Sequence, residues 1–240
     1  PNRKQAITTL LNAHPDLQLI IADDGLQHYA LQRDIEWIVV DASRGFGNQQ
    51  LLPTGFLREP MSRLTGANVV YHEKADRTTK DNKQAKAKRL TMHLQADELQ
   101  ILWPSAVEID GLSVAAKTLM PPIPNGRVHA VSGIGYPQRF FDTLMALGFD
   151  VIGHAYPDHY DFSLTELLQY SELPIIVTSK DAVKIRALLI NMSNRQPLND
   201  EYQELVNRLW VLPVTAVLSD SCYDSLQQQL KALNIDINNG

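Results

Sequence analysis

Cysteine pairs, membrane-length apolar runs and the common phosphate-loop signature are all missing from this chain. Its single cysteine, Cys222, has no partner within 240 residues. No internal disulfide can form, which fits a reducing compartment, and Cys222 itself reads as inert. No apolar run approaches the roughly 18 residues needed to cross a bilayer. The opening PNRKQAITTL lacks a secretory signal pattern, so the chain alone reads as soluble. None of the twelve glycines is followed by lysine, which rules out G-x-x-x-x-G-K-[ST] within these residues. A surplus of positive charge is missing too. With 22 basic against 27 acidic side chains the net charge is −5, so no global field holds nucleic acid and only a local basic patch is left open. No Cys/His spacing resembles a zinc site. What is present is ordinary: 44% hydrophobic and 20% charged residues argue against disorder and fibrous repeats. The length suits one large domain or two small ones.

Apolar spacing predicts a helix over 3–13, through Ala6, Ile7, Leu10 and Leu11. His14-Pro15-Asp16 ends it, because the residue before proline is pushed out of the α region. Leu17, Leu19, Ile20, Ile21 and Ala22 then read as a strand buried on both faces. That run stops at Asp23-Asp24-Gly25, and a second buried run at 35–40 stops at Asp41. Strands with carboxylates at their carboxyl ends, after a helix, suggest a parallel α/β sheet whose ligands bind beyond that edge. Residues 43–60, SRGFGNQQLLPTGFLREP, hold three glycines, two prolines and two arginines. This is too broken for a helix or strand, and a loop of such length is usually functional when it is not disordered. Its interleaved Phe46, Leu51, Leu52, Phe56 and Leu57 argue for order. Asn68 to Tyr71 is a further short strand.

Residues 80–89 carry five positive charges and one negative. They read first as a solvated face, with anionic lipid headgroups as the second reading. Thr91 to Val114 resembles strands and turns, and 120–126, MPPIPNG, is the clearest linker. The domains expected from these signals are 1–90, a linker region 91–126, and 127–240. After the linker come a strand at 128–131 and the turn Ser132-Gly-Ile-Gly135. Pro137 follows at a first helical position, and the helix through Phe140, Phe141, Leu144 and Leu147 ends at Gly148. Strands follow at 149–152, 174–178 and 211–218, the last an edge strand because of Pro213. Ser163-Leu-Thr-Glu166 is a capping box, and helices cover 181–189 and 225–233. This alternation implies a small doubly wound domain.

An apolar strand followed by Asp23-Asp24 is the layout of carboxylates that reach magnesium in phosphate-loop enzymes. Read alone, a strand-end aspartate is equally a turn former or helix cap. Gly25, Gln27 and His28 behind the pair strengthen the functional reading. His159, in Tyr156-Pro-Asp-His-Tyr160, is either a surface histidine or a general acid/base oriented by Asp158. Arg58-Glu59 offers a phosphate-binding guanidinium beside a metal carboxylate, or a common surface pair. Two other classes stay open: a non-catalytic module that binds a phosphorylated lipid or sugar through 43–60, and a metal-dependent hydrolase using Asp23 and Asp24.

Taken together, IIADDGLQHYALQRDIEWIVVD (20–41), RGFGNQQLLPTGFLREPMSRL (44–64), SGIGYPQRFFDTLMALGF (132–149), YPDHYDF (156–162) and PIIVTSKDAVKIR (174–186) resemble the tetraacyldisaccharide 4′-kinases of lipid A biosynthesis. The resemblance implies an ATP-dependent kinase, with Mg²⁺, acting on the 4′-hydroxyl of an acylated glucosamine disaccharide 1-phosphate. It places the enzyme at the cytoplasmic face of the inner membrane of a Gram-negative bacterium, and gives no specific protein partner. The fold it implies is α/β: a partial phosphate-loop-NTPase-like parallel sheet domain and a smaller doubly wound α/β domain, joined by a short β linker. Asp23 and Asp24 would then lie near the metal, with Glu59 assisting and Asp24 also catalytic. Gln27, His28 and Arg58 would line the nucleotide or lipid phosphate side. His159 would arrive on domain closure as part of a base dyad. The family carries its phosphate loop, dyad aspartate and amphipathic anchor in an N-terminal segment. These residues begin after that segment, so weak or no ATP binding is expected of them alone. The sequence departs from the family pattern at Tyr136 (usually Asn), Phe56 (Pro) and Ser179 (Glu).

Overall fold

The computed structural model describes residues 2–73, 89–103, 120–170, 172–195 and 197–235. The basic run up to Lys88 and the part of the 91–114 stretch beyond Trp103 lie outside them. The class is α/β as expected, built on two sheets. Packing separates two compact units, one of 1–94 with 216–240 and the other of 95–215. These units do not coincide with the divisions at 90 and 126, because 216–240 returns to the first unit and 95–103 belongs to the second.

In the first unit, α1 (Arg3–Ala13) is capped by Asn2, whose side chain accepts from the Gln5 N–H, and none of its residues is buried. The sheet runs β1-β2-β3-β9, from β1 (Trp37–Asp41), β2 (Asn68–His72), β3 (Leu90–Ala96) and β9 (Val214–Leu218). β1, β2 and β3 are mutually parallel, with Val39 opposite Val70 and Val70 in turn opposite Leu90. Val40, Val70, Cys222 and Leu230 are its buried apolar residues among those described, the last two from α6 (Asp220–Ala232). The expected strand at 17–22 is a correction. This stretch forms no strand, and of its two isoleucines Ile20 is 36% and Ile21 87% exposed. Burial on both faces requires neighbouring strands for the backbone groups and side chains, and among the described residues none pairs with it.

The second unit holds a five-stranded sheet in the order β4-β8-β7-β5-β6. Its members are β4 (Gln100–Ile101), β5 (Arg127–Ser132), β6 (Asp150–Ala155), β7 (Ile175–Thr178) and β8 (Leu209–Leu212). All pairs are parallel except β4 with β8. Strict alternation sends side chains to two cores. Val131, Ile175, Val177, Leu209 and Val211 pack with α3 (Leu164–Leu168), α4 (Ser179–Ser193) and α5 (Asp200–Arg208) on one face. Val128, Ala130, Ile176, Trp210 and Leu212 meet Phe140, Phe141 and Leu144 of α2 (Pro137–Ala146) on the other. Burying each of the valine, leucine, isoleucine and phenylalanine side chains among them stabilises by about 1.5–3 kcal/mol, and two covered faces make the sheet doubly wound.

Local signals here read directly. Pro137 opens α2, Gly148 follows its cap at φ +95°, and Ser163 with Glu166 forms the capping box. The single strand expected at 211–218 is a second correction. It is two strands, split at Pro213, that belong to different sheets. β8 is not an edge, since β4 covers one side and β7 the other, whereas β9 stands at the edge of its sheet as expected. Proline lacks the N–H a ladder needs and marks the crossing between sheets. The chain leaves β5 for β6 on one side and then β7 on the other, so the carboxyl ends of β5 and β7 form the switch point where α/β sheets place ligands. Ser132-Gly-Ile-Gly135 and the start of α4 lie there.

Candidate functional site

In the first unit the stretch after Ala22 turns sharply, with Asp24 at φ +47°, a region open to aspartate because its short side chain can bond locally. The Asp24 carbonyl accepts from Arg3 Nη2 at 3.2 Å. Its carboxylate lies 3.6 Å from Arg58 Nη1, with both side chains exposed. Asp23 is exposed beside it. Gln27 Nε2 donates to Glu59 Oε1 at 3.2 Å, and the Tyr29 hydroxyl donates to the same oxygen. The two donors favour the ionised carboxylate. The Tyr29 hydroxyl first, and Gln27 after it, hold Glu59 below the usual carboxylate range, while the same bond raises the Tyr29 phenol. Of the residues expected from the sequence, Asp24, Gln27, Arg58 and Glu59 are thus joined pairwise between two segments.

His28 is placed differently. Its backbone closes the turn, its N–H donating to Gly25 at 3.0 Å, and its carbonyl accepts from Arg33 Nη2 at 3.0 Å. Arg33 Nη1 also donates to the Gly25 carbonyl at 3.1 Å. Glu36 binds Arg33 and is held at both oxygens by Arg63, at 2.8 and 2.9 Å. This Arg–Glu–Arg bridge ties 25–28 to the short 3-10 turn Met61–Leu64. Tyr29, Arg33, Glu36 and Arg63 were not among the residues singled out in the sequence. The i,i+3 spacing of Arg33 and Glu36 was the one local signal for them.

The 43–60 segment is a loop, as expected. Asp41 Oδ1 accepts from the Ser43 N–H, the Ser43 hydroxyl and the Arg44 N–H at 2.9, 2.6 and 3.3 Å, which turns the chain at the carboxyl end of β1. Gly47 adopts φ +55°, and a Cβ there would lie 2.2 Å from the Phe56 ring; only glycine fits. Arg44 stacks its guanidinium 4.9 Å from the centre of that ring. A cavity of about 220 Å³ opens between this loop and β1, lined by Ile38, Val40, Phe46, Phe56, Arg58 and Glu59 among others. It is therefore apolar in body with arginine and glutamate at its wall.

In the second unit His159 stands in the turn after β6 at φ +61°, with its side chain exposed. Its N–H donates to the Gly133 carbonyl at 3.1 Å and to Asp158 Oδ1 at 3.0 Å, and its Nε2 is 3.7 Å from Asp158 Oδ2. Lys180 donates to Asp158 at 3.2 Å and is the main cause holding that carboxyl below its usual range. Asp181 is fully buried. It accepts from the Gly133 N–H at 3.1 Å and the Thr178 hydroxyl at 2.7 Å, which ties the 132–135 turn to the first turn of α4. No helix among the described residues is long and apolar enough to cross a membrane.

The family model described as tetraacyldisaccharide-1-P 4′-kinase matches residues 1–231. A tetraacyldisaccharide 4′-kinase of Psychrobacter cryohalolentis is 70% identical over 241 residues, covering 99% of this chain and 64% of its own length. The same named protein of Psychrobacter arcticus is 69% identical over 248 residues, with the same coverage. That of Pseudomonas paraeruginosa is 42% identical over 188 residues, 78% of this chain and 51% of its own length. The chain thus spans about two thirds or less of the curated relatives it matches. No solved structure gives a significant match.

Proposed function

The chain belongs to the tetraacyldisaccharide-1-P 4′-kinase family, and on that premise we propose that the protein carrying it transfers the γ-phosphate of ATP to the 4′-hydroxyl of a tetraacyldisaccharide 1-phosphate. The observation that carries this reading is the meeting of Asp24 with Arg58 and of Gln27 with Glu59. These contacts bring carboxylates and a guanidinium from two distant segments together, which supports a site that handles phosphate and metal-side groups. The acceptor and the product are acylated lipids, so the reaction belongs at a membrane surface, the cytoplasmic face of the inner membrane of a Gram-negative cell.

Asp23 and Asp24 fit a magnesium ion by donor chemistry. They are adjacent exposed carboxylates, and Mg²⁺ is ordinarily held by one or two carboxylates together with substrate phosphates. Among the described residues no three His, Cys, Asp or Glu form a metal-holding group, so Asp23, Asp24 and Glu59 do not gather into one by themselves. When bound, the ion supplies charge neutralisation on the phosphate oxygens. Glu59, kept ionised by Tyr29 and Gln27, assists on that side, and Gln27 and His28 line it. Arg58 supplies a guanidinium to the phosphates. His159 takes the proton of the 4′-hydroxyl as the new O–P bond forms and the bond from the γ-phosphorus to ADP breaks.

The test is direct. The protein carrying this sequence is incubated with Mg²⁺-ATP and tetraacyldisaccharide 1-phosphate, and the lipid is analysed by mass and by phosphorus NMR. One added phosphate at the 4′ position is expected. A lipid that stays unchanged, or is phosphorylated elsewhere, overturns the reading.

A further inference from the structure

Two lysines of α4, Lys180 and Lys184, have no part in the chemistry proposed above. They lie four residues apart on one helix, so they share a face. Each reaches the turn that carries His159. Lys180 Nζ is 3.2 Å from Asp158 Oδ1, on the residue before the histidine. Lys184 Nζ donates to the carbonyl of Tyr160, the residue after it, at 2.6 Å. Between these two points the His159 N–H is shared by Asp158 Oδ1 and the Gly133 carbonyl. Beyond them the Tyr160 hydroxyl donates to Glu166 Oε1 at 2.6 Å, which fixes the far side of the turn to α3.

The need for such fastening is visible in the backbone. His159 has φ +61°, a left-handed conformation that a β-carbon disfavours and that persists only where its surroundings hold it. An exposed ion pair such as Lys180–Asp158 adds little to global stability. Its effect is geometric: it fixes the carboxylate that accepts the His159 N–H.

We propose that Lys180 and Lys184 are positioning residues for His159, a two-point clamp by which the first turns of α4 hold the histidine's turn in its left-handed form. The clamp deepens the function proposed above, since it rests on His159 as the group that accepts the substrate proton. Asp158, Lys180 and Lys184 are the charged groups that meet the turn directly, and Glu166 meets it through Tyr160.

The experiment is NMR on this chain without nucleotide, comparing wild type with Lys180→Met, Lys180→Arg, Lys184→Met and the double methionine variant. Two quantities are read: the titration midpoint of the Asp158 carboxyl carbon and the exchange rate of the His159 amide. Lys180→Met is expected to raise the Asp158 midpoint toward the ordinary carboxylate range and to speed His159 exchange several-fold, and Lys180→Arg to restore both. Lys184→Met is expected to speed exchange and leave the Asp158 midpoint in place. The ring signals of His129 and His154, in β5 and β6, report that the fold is intact. If a methionine variant loses them, the same readings on Lys180→Gln and Lys184→Gln decide. Unchanged exchange and an unchanged Asp158 midpoint in the folded double variant overturn the clamp. Neither readout involves phosphate transfer, so a failed kinase assay and a failed clamp are distinguishable.

Discussion

Arg58 holds its guanidinium 3.6 Å from the Asp24 carboxylate, with both side chains well exposed. Water screens so open a pair, which makes it a poor contributor to stability. It is a good arrangement for a site that receives phosphate, because the guanidinium can leave a weakly held carboxylate for a phosphate at little cost. Arg58→Ala is therefore expected to leave the thermal midpoint unchanged within error and to lower 4′-phosphorylation by about 10²-fold, the scale of removing one charge-stabilising group. Calorimetry and initial rates on the same preparation check this. A large drop in midpoint would make Arg58 structural instead.

Gly47 gives a second prediction for the same loop. Its φ of +55° and the Phe56 ring 2.2 Å from any added Cβ leave no room for alanine. Gly47→Ala is expected to push Phe56 off its place under Arg44 and to cut activity at least tenfold. The second unit should keep its fold, since its cores include no residue of this loop. Tyrosine and tryptophan signals of that unit should be unchanged in the variant.

The hydrogen-bonded pair His129 Nδ1 and His154 Nε2, 2.9 Å apart, sets a pH dependence. Desolvation first lowers both midpoints. The nearby Arg208 guanidinium lowers His129 further, and His129 does the same to His154. Below the ordinary histidine value of about 6.5 the unfolded chain therefore binds more protons than the folded one. Stability present above that value is lost as pH falls through the lowered folded midpoints. Urea unfolding between pH 7 and 5 is expected to show declining stability, and His154→Gln a shallower decline. Equal slopes for the two proteins would contradict the assignment.

Much of the second unit was legible because its signals are local. Pro137, Gly148 and the Ser163–Glu166 box act within one helical turn, and β5 to β7 announce themselves as apolar runs. α5 was missed because Asn199 caps a largely polar helix in which Leu205 and Val206 are its buried residues. β4 and the split at Pro213 depend on partners more than a hundred residues away. The 17–22 stretch has a strand's composition, but burial is a property of neighbours, which a run of residues does not carry with it. The site shows the same division. Asp24, Gln27, Arg58 and Glu59 stood out by residue type and spacing. Tyr29 and the Glu36–Arg63 pair emerged only from contacts across some thirty residues.

The central claim, that Asp24 belongs to the phosphate-transferring site of a 4′-kinase, is tested most directly by one ratio. It is the rate of 4′-phosphorylation of tetraacyldisaccharide 1-phosphate by the protein carrying Asp24→Ala, divided by that of the unaltered protein. The account predicts a loss of at least about 10²-fold, the scale of removing one transition-state charge partner, with no change in the thermal midpoint. Equal rates for the two proteins would contradict it.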